Sequence, residues 1–503
     1  MITILSYLTS ALMLSLWFYN RDKKPWDMVF RNLFFASFAL YFLDGLIGPE
    51  SFSFRLSHMV RDIVLLSAAG LCFQWLVRFR QWFFVAITVV LASLAWYQAR
   101  QGWTQHDSAV SDVALDSQGE LLVELREGAD ASLLDAIAKK YGVTYRRAFQ
   151  PLDAAATDLD DYYVIDVPKD QESKIGKIKK AINRLKGVEW LEENEQINVA
   201  PLPAKQLPEI NKRFGINDPG VTHLWGFDAM SVDQLYTELS KAKPVKKARI
   251  AILDTGVDAQ HEDLKGNYTS VKSTYDNDPK GHGTHCAGIA GAVSNNGVGV
   301  ASFSRDNNFV SISSIKVLNA SGMGTQQTII AGIIEAADNR VDVISLSLGG
   351  RSNQSRQKAY EKALKYANDK GVIVVAAAGN ANRNANEFSP ANTPGVICVS
   401  AIDSELNRAV FSNYVNNIDM GLAAPGVNIY STIPGSKYEA YNGTSMATPY
   451  VAGLVGLMKS LKPSLTTKEA YRILRDTGKN TRNTKETGKL IQPGAAVKAL
   501  VGG

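Results

Sequence analysis

Cysteine is scarce in this chain: three in 503 residues, at Cys72, Cys286 and Cys398. Cys72 lies in an apolar run, and the other two are far apart, so there is no disulfide framework. One Cys286–Cys398 bridge is conceivable; two free buried thiols are the reading taken here. Neither sign of charge dominates either. There are 54 basic and 49 acidic residues, a net charge of +5, and no basic block. That pattern gives no case for a nucleic-acid partner. Neither HExxH nor CxxC accompanies His285 and Cys286, which leaves a zinc site there without a motif. The length predicts two to four structural units.

Long uncharged runs are present, all within the first hundred residues. Residues 2–20 carry no charge and have the length of a membrane-spanning helix. A cleaved signal would place basic residues before such a run, whereas Arg21, Lys23 and Lys24 follow it. Residues 81–99 form a second clear run, 63–77 a shorter one, and 32–49 a run interrupted by Asp44. Four spans would set Arg21, Lys23, Lys24, Arg31, Arg78 and Arg80 on one side, and Arg55, Arg61 and Arg100 on the other. The basic-rich side faces the cytoplasm. Residues 1–100 are therefore expected to form a membrane region of about four helices in a lipid bilayer, with everything after residue 100 outside the cytoplasm. Asp44 is read as either an interfacial or a functional acid.

Residues 119–200 alternate strand and helix patterns. ELLVELREG reads as a strand. DASLLDAIAKKYG reads as a helix that opens on an Asp and ends at Gly142. VTYRRAFQ and DYYVIDVPK read as strands, SKIGKIKKAINRLKG as an amphipathic helix, and VEWLEENEQINV as a last strand. The order βαββαβ is the split, ferredoxin-like one. RNA-recognition modules share it, but the aromatic stacking motif they require is missing. Residues 201–246 read as a linker and the start of the next domain, which occupies 247–503.

In that last domain, buried strands (VDVISLSL, VIVVAAAG) alternate with helices (TQQTIIAGIIEAADN, RQKAYEKALKYANDKG). The alternation predicts an α/β fold, a parallel sheet with helices on both faces. Three stretches carry chemistry: ARIAILDTGVD with Asp254, GHGTHCAGIAGA with His282, and YNGTSMATPYVAG with Ser445. A serine hydroxyl needs a base to take its proton. An imidazole is suited to that task, and a carboxylate fixes the imidazole's tautomer. Asp254, His282 and Ser445 supply the three roles. Ser445 also opens a helix, where unpaired N–H groups and the dipole favour an oxyanion.

The three motifs DTG, HGTHCAG and NGTSMATP, whole and in this order, resemble the subtilisin-like serine proteases, or subtilases, over roughly residues 209–500. HGTHCAG with Cys286, and FSPANTPGVICVSA (388–401), are more similar to the proteinase K-like branch. The resemblance implies a serine endopeptidase acting on protein or peptide substrates, with no cofactor in the chemistry. It implies an oxyanion donor at Asn380, which ends VVAAAGN. It implies two substrate-pairing segments, Gly322, Met323 and Gly324 in SGMG, and Ser347, Leu348 and Gly349 in SLSLGG. It also implies a broad pocket with apolar preference, into which Phe388 intrudes. The family often binds structural calcium beside a turn like His261–Glu262–Asp263, which makes Asp263 the candidate Ca2+ ligand, although the partner loop SNNGVGVA is short and carries no carboxylate. By position, residues 119–200 resemble the family's propeptide inhibitor, implying that this domain is the protease's own partner and that the enzyme processes itself. The competing reading is a catalytically idle membrane sensor or binding protein that kept the fold. The intact triad and Asn380 favour the enzyme.

Overall fold

The structure is a computed structural model describing residues 2–46, 119–199, 202–204, 207, 209–212, 214–352 and 357–502. It divides into two compact units, residues 1–110 and 111–503.

In the first unit, helix α1 (Ile2–Tyr19) and helix α2 (Trp26–Leu46) lie against each other. Trp17 Nε1 donates to Asp27 Oδ1 at 2.8 Å, and Ser10 Oγ donates to Ser37 Oγ at 3.0 Å. Among the described residues, no helix is long and apolar enough to cross a membrane. The runs at 63–77 and 81–99 lie outside the described residues.

The second unit begins with four strands: β1 (Leu121–Leu125), β2 (Thr144–Arg147), β3 (Tyr162–Asp166) and β4 (Val188–Glu193). They pair antiparallel in the order β2-β3-β1-β4. Helices α3 (Asp135–Tyr141) and α4 (Ile175–Ile182) fall between β1 and β2 and between β3 and β4. Every residue of β1 is buried, because the sheet is covered on both faces. Leu121, Val123 and Leu125 pack with Ile137, Ile178 and Ile182 of the two helices. Leu122 joins a different core, together with Tyr162, Val164 and residues of the following domain. The stretch read as one closing strand breaks at Asn194 and Glu195. Its second part, β5 (Gln196–Asn198), leaves the small sheet and pairs with a strand of the next domain. Beyond it, β6 is Leu202–Pro203.

The large sheet is built from β7 (Ala248–Asp254), β8 (Val310–Lys316), β10 (Val343–Leu346), β12 (Ile373–Ala377), β14 (Val396–Ile402), β15 (Gly421–Pro425) and β18 (Lys489–Leu490). Its order is β18-β15-β14-β12-β10-β7-β8, parallel throughout. Around it lie the shorter strands β9 (Met323–Thr325), β11 (Gly350–Arg351), β13 (Phe388–Ser389), β16 (Ile429–Ile433) and β17 (Lys437–Asn442). The helices that matter to the site are α5 (His282–Gly291), α6 (Gln326–Asp338), α7 (Lys358–Asp369) and α8 (Thr444–Leu461). Side chains alternate along each strand. Ile250 and Ile252 of β7 share a core with Ala287 of α5 and Val451 of α8, whereas Ala251 and Leu253 share one with Ile333 of α6 and Leu364 of α7. The expected parallel sheet with helices on both faces is thus observed.

The small sheet docks on the starts of α6 and α7. Gln357 precedes α7 without a side-chain cap, and Glu192 Oε1 takes the Ala359 N–H at 3.2 Å. Asn194 Oδ1 takes the Gln327 N–H of α6 at 2.9 Å. These acceptors satisfy N–H groups that a helix start leaves unpaired. Buried Glu124 pairs with Lys358 and Lys362 of α7 and accepts from Tyr162 Oη at 2.8 Å. Burial lifts the Glu192 carboxyl from 4.5 to about 7, against the lowering effect of the Ala359 N–H. A raised carboxyl favours the docked state most below 4.5, and that contribution is lost as pH rises through about 7. Amide hydrogen exchange in β1 and β4 should accordingly quicken more between pH 6 and pH 8 than intrinsic exchange predicts, and Glu192→Gln should flatten that excess. The same excess in Glu192→Gln would place the pH sensitivity elsewhere.

Candidate active site

Parallel sheets present their sites where strands end, and three site residues arise in this way. Asp254 is the last residue of β7, Ser347 follows β10, and Asn380 lies just past β12. His282 is the first residue of α5. The helix can start directly against β7 because residue 283 is glycine: a Cβ there would lie 2.1 Å from the Gly256 carbonyl oxygen and 3.0 Å from Asp254 Cβ.

Asp254 and His282 are buried and joined. His282 Nδ1 lies 2.8 and 2.9 Å from the two carboxylate oxygens, and Thr255 N donates to Oδ1 at 2.7 Å. With the proton on Nδ1, Nε2 is left as the base, and it is buried with no hydrogen-bond partner among the described residues. Burial works against protonation of His282. The charge and hydrogen bond of Asp254 outweigh it, Asp278 adds to them and Lys280 opposes, so the imidazole titrates above its ordinary 6.5.

Ser445 is the second residue of α8 and is 8% exposed. Its Oγ donates to the Ser347 carbonyl at 2.9 Å, so in this state the hydroxyl does not point at the imidazole. Ser347 Oγ returns a hydrogen bond to the Ser445 carbonyl at 2.8 Å. That carbonyl is available because residue 449, one turn on, is proline and has no N–H to give it. Cys286 Sγ also reaches it, at 3.5 Å. The sequence reading did not single out Pro449 or this exchange. The signal was a proline four residues after the serine inside an apolar helix.

Asn380 uses its side-chain oxygen to accept from Thr444 N and Thr444 Oγ1, both at 2.9 Å. Its Nδ2 therefore remains free to donate to a ligand. A Cβ on Gly443 would lie 3.5 Å from that Nδ2 and 3.6 Å from Ser445 N. Two donors thus border one space that the missing side chain keeps open, which is the geometry an oxyanion requires.

One of the segments expected to pair with substrate, Gly322 to Gly324, is paired in the structure by the chain itself. β5 runs antiparallel to β9, with Ile197 opposite Gly324 and Asn198 opposite Met323, and Val199 N donates to the Gly322 carbonyl at 2.9 Å. Ile197 and Val199 are buried, and a Cβ on Gly350 would lie 3.1 Å from Ile197 Cγ1. Leu348 is buried, and Gly349 packs on the Ser389 carbonyl. The Phe388 ring stands against Gly379, beside Asn380.

Asp263 is buried, but its surroundings do not fit a calcium ion. Oδ1 accepts from Asn296 Nδ2 at 2.8 Å and Oδ2 from Val300 N at 2.7 Å. The backbone of Gly299 closes on the carboxylate so tightly that a Cβ there would lie 2.3 Å from Oδ2. Asp218, the next carboxylate, is taken up by the Asn295 and Asn296 N–H groups. The loop is tied by direct hydrogen bonds where a hard cation would need several free oxygens.

A model of the subtilase family matches residues 245–493. Thermitase from Thermoactinomyces vulgaris is 46% identical over 218 residues, covering 42% of this chain and 75% of that protein. The chain belongs to the subtilase family. A thermophilic serine proteinase from Bacillus sp. strain AK1 is 36% identical over 351 residues, 68% of this chain and 78% of that protein. Among solved structures, a protease from Pseudoalteromonas arctica PAMC 21717 superposes with a TM-score of 0.50 at 30% identity, covering 57% of this chain and 99% of that one. This subtilase is a serine endopeptidase.

Both described cysteines are free and buried, and Cys72 lies outside the described residues. Cys286 Sγ belongs with the Asp254 and His282 ligand atoms to a group within 4.8 Å of one another. A mercurial bound at that sulfur would displace the imidazole. Cys286→Val should abolish mercurial inhibition while costing under about 1.5 kcal/mol of stability, since the volumes are close. Undiminished inhibition of that variant would shift the site to Cys398 or Cys72.

Proposed function

We propose that this subtilase is a membrane-anchored, self-processing endopeptidase whose residues 119–200 act as its propeptide inhibitor. The observation that carries the proposal is the course of the chain after the small sheet. β5 pairs with β9, and Val199 is bound by Gly322. β6 then pairs with the other flank, Leu202 opposite Asn442 and Pro203 opposite Tyr441, and Ala204 N donates to the Ala440 carbonyl at 3.1 Å. Residues 200 and 201, which join the two, lie outside the described residues. Gly322 adjoins Lys280, two residues before His282, and Asn442 is three residues before Ser445. The stretches before and after residues 200 and 201 are thus anchored on the two sides of the catalytic pair, each in the manner of a substrate added as a strand. The βαββαβ order, and a relative that matches 68% of the chain, more than residues 209–503 contain, support the propeptide reading. The burial of Ile197 and Val199 in the cleft supports an apolar preference. Cys286 and residues 388–401 support kinship with the proteinase K-like branch.

The chemistry follows from the geometry. Ser445 Oγ turns from Ser347 to His282 Nε2, gives up its proton and attacks the substrate carbonyl. The oxyanion is held by Ser445 N–H and Asn380 Nδ2, and Asp254 steadies the imidazolium. His282 returns the proton to the leaving amine, and water then releases the acyl group from Ser445.

Support for the anchor comes from the uncharged runs before residue 100 and from the exposed apolar side chains of α2, among them Met28, Leu33 and Phe35. The six-to-three division of basic residues supports an extracytoplasmic protease domain. A topology reporter fused after residue 110 should be active only outside the cytoplasm, and activity confined to the cytoplasm would refute the orientation.

Self-processing is expected between about residues 196 and 216, in the extended, proline-bearing connector. Immunoblots should show a fragment near the size of residues 209–503 in wild type and only the full chain in Ser445→Ala, which should also lose casein hydrolysis. A single full-length band in both, with wild-type activity intact, would refute self-processing and leave a tethered enzyme.

A further inference from the structure

Asp278 is a second buried carboxylate near the triad, lying in the loop that leads into α5. Its two oxygens take five donors. Oδ1 accepts from Thr255 Oγ1 at 2.8 Å, Lys280 N at 3.1 Å and Gly281 N at 2.8 Å. Oδ2 accepts from Thr284 N at 2.8 Å and Thr284 Oγ1 at 2.7 Å. These partners fall into two groups. Thr255 follows Asp254 directly and also accepts the Gly283 N–H at 3.1 Å. Gly281, Thr284 and Lys280 frame the first turn of α5, which His282 opens. The residue at the cap position, Gly281, has no side chain to cap with. The carboxylate of Asp278 supplies that function from three residues upstream, and its negative charge suits a helix start.

We propose that Asp278 is a positioning residue for catalysis: it binds the Asp254 turn and the His282 helix to one carboxylate and so fixes the alignment on which proton transfer depends. It touches neither substrate nor reacting atoms. It acts through His282 in two ways, by holding the ring's helix against the end of β7 and by adding a second negative charge that favours the imidazolium formed when Ser445 attacks. The ionisable groups around His282 are Asp254 from β7, Asp278 and Lys280 from the loop, and His285 and Cys286 from its own helix. Lys280 opposes the imidazolium, and burial keeps His285 and Cys286 uncharged, so Asp278 is the only addition to Asp254 among them.

The test uses the full chain with Asp278→Asn, Thr255→Val and Thr255→Ser. Hydrolysis of a chromogenic peptide is followed across pH, and reactive sites are counted with a fluorophosphonate so that only folded enzyme enters kcat. Asparagine at 278 sets an NH2 against groups that are already donating. kcat should fall about 10- to 100-fold, the scale of a small misplacement of reacting groups. KM should hold, and the acid limb of kcat/KM should move to lower pH. Thr255→Val, which removes the hydroxyl's bonds to Asp278, to Asp254 and from the Gly283 N–H, should also lose kcat, and Thr255→Ser, which keeps all three, should restore it. An unmoved acid limb with kcat near wild type in Asp278→Asn would overturn the proposal. If that variant yields no reactive sites, equal kcat in Thr255→Val and Thr255→Ser would overturn it.

Discussion

A carboxylate removed from water must be met by donors or give up its charge, and Asp254 is buried at the C-terminal end of β7, in a sheet covered on both faces. Its position is what the surrounding structure serves. The Thr255 N–H and the His282 Nδ1–H point at it, and the helix that brings the imidazole approaches only because residue 283 lacks a side chain. A buried charge of this kind stabilises nothing by itself; with partners fixed in place it selects one tautomer and one ring orientation. The chemistry at Ser445 depends on that selection.

The nucleophile is held by a different device. A proline within an 18-residue helix would ordinarily be a defect, yet here it frees the Ser445 carbonyl for contacts outside the helix. Ser347 on the end of β10 takes up that carbonyl and offers its own in return. The serine is therefore tied to the end of an inner strand of the sheet, and its hydroxyl is turned to that strand and not to the base.

The ordering of DTG, HGTHCAG and NGTSMATP made the triad legible in the sequence because each motif pairs a reactive side chain with glycines that allow close approach. The parallel sheet was legible because strands buried on both faces read as unbroken apolar runs. Three features were not. The break at Asn194 and Glu195 falls in the polar stretch 192–196, but the departure of the second half to pair with β9 is set by the docking partner, which the local sequence does not mark. The closed fit around Asp263 depends on two N–H groups from a loop more than thirty residues away. The resting direction of the Ser445 hydroxyl depends on Ser347, which the sequence marks only as part of a substrate segment. Each is a tertiary contact without a local signature.

The pairing of β5 with β9 has a bearing on dose. While the segment is part of the same chain, its local concentration at the cleft is set by the short tether and not by how much enzyme is present. Dilution cannot empty the cleft, and crowding cannot fill it further. Were the connector severed, the same contacts would obey ordinary mass action, and occupancy would fall as the protein is diluted. If residues 119–200 act as the proposed inhibitor, a single cut would thus convert a blockade indifferent to abundance into one that weakens wherever the enzyme is sparse.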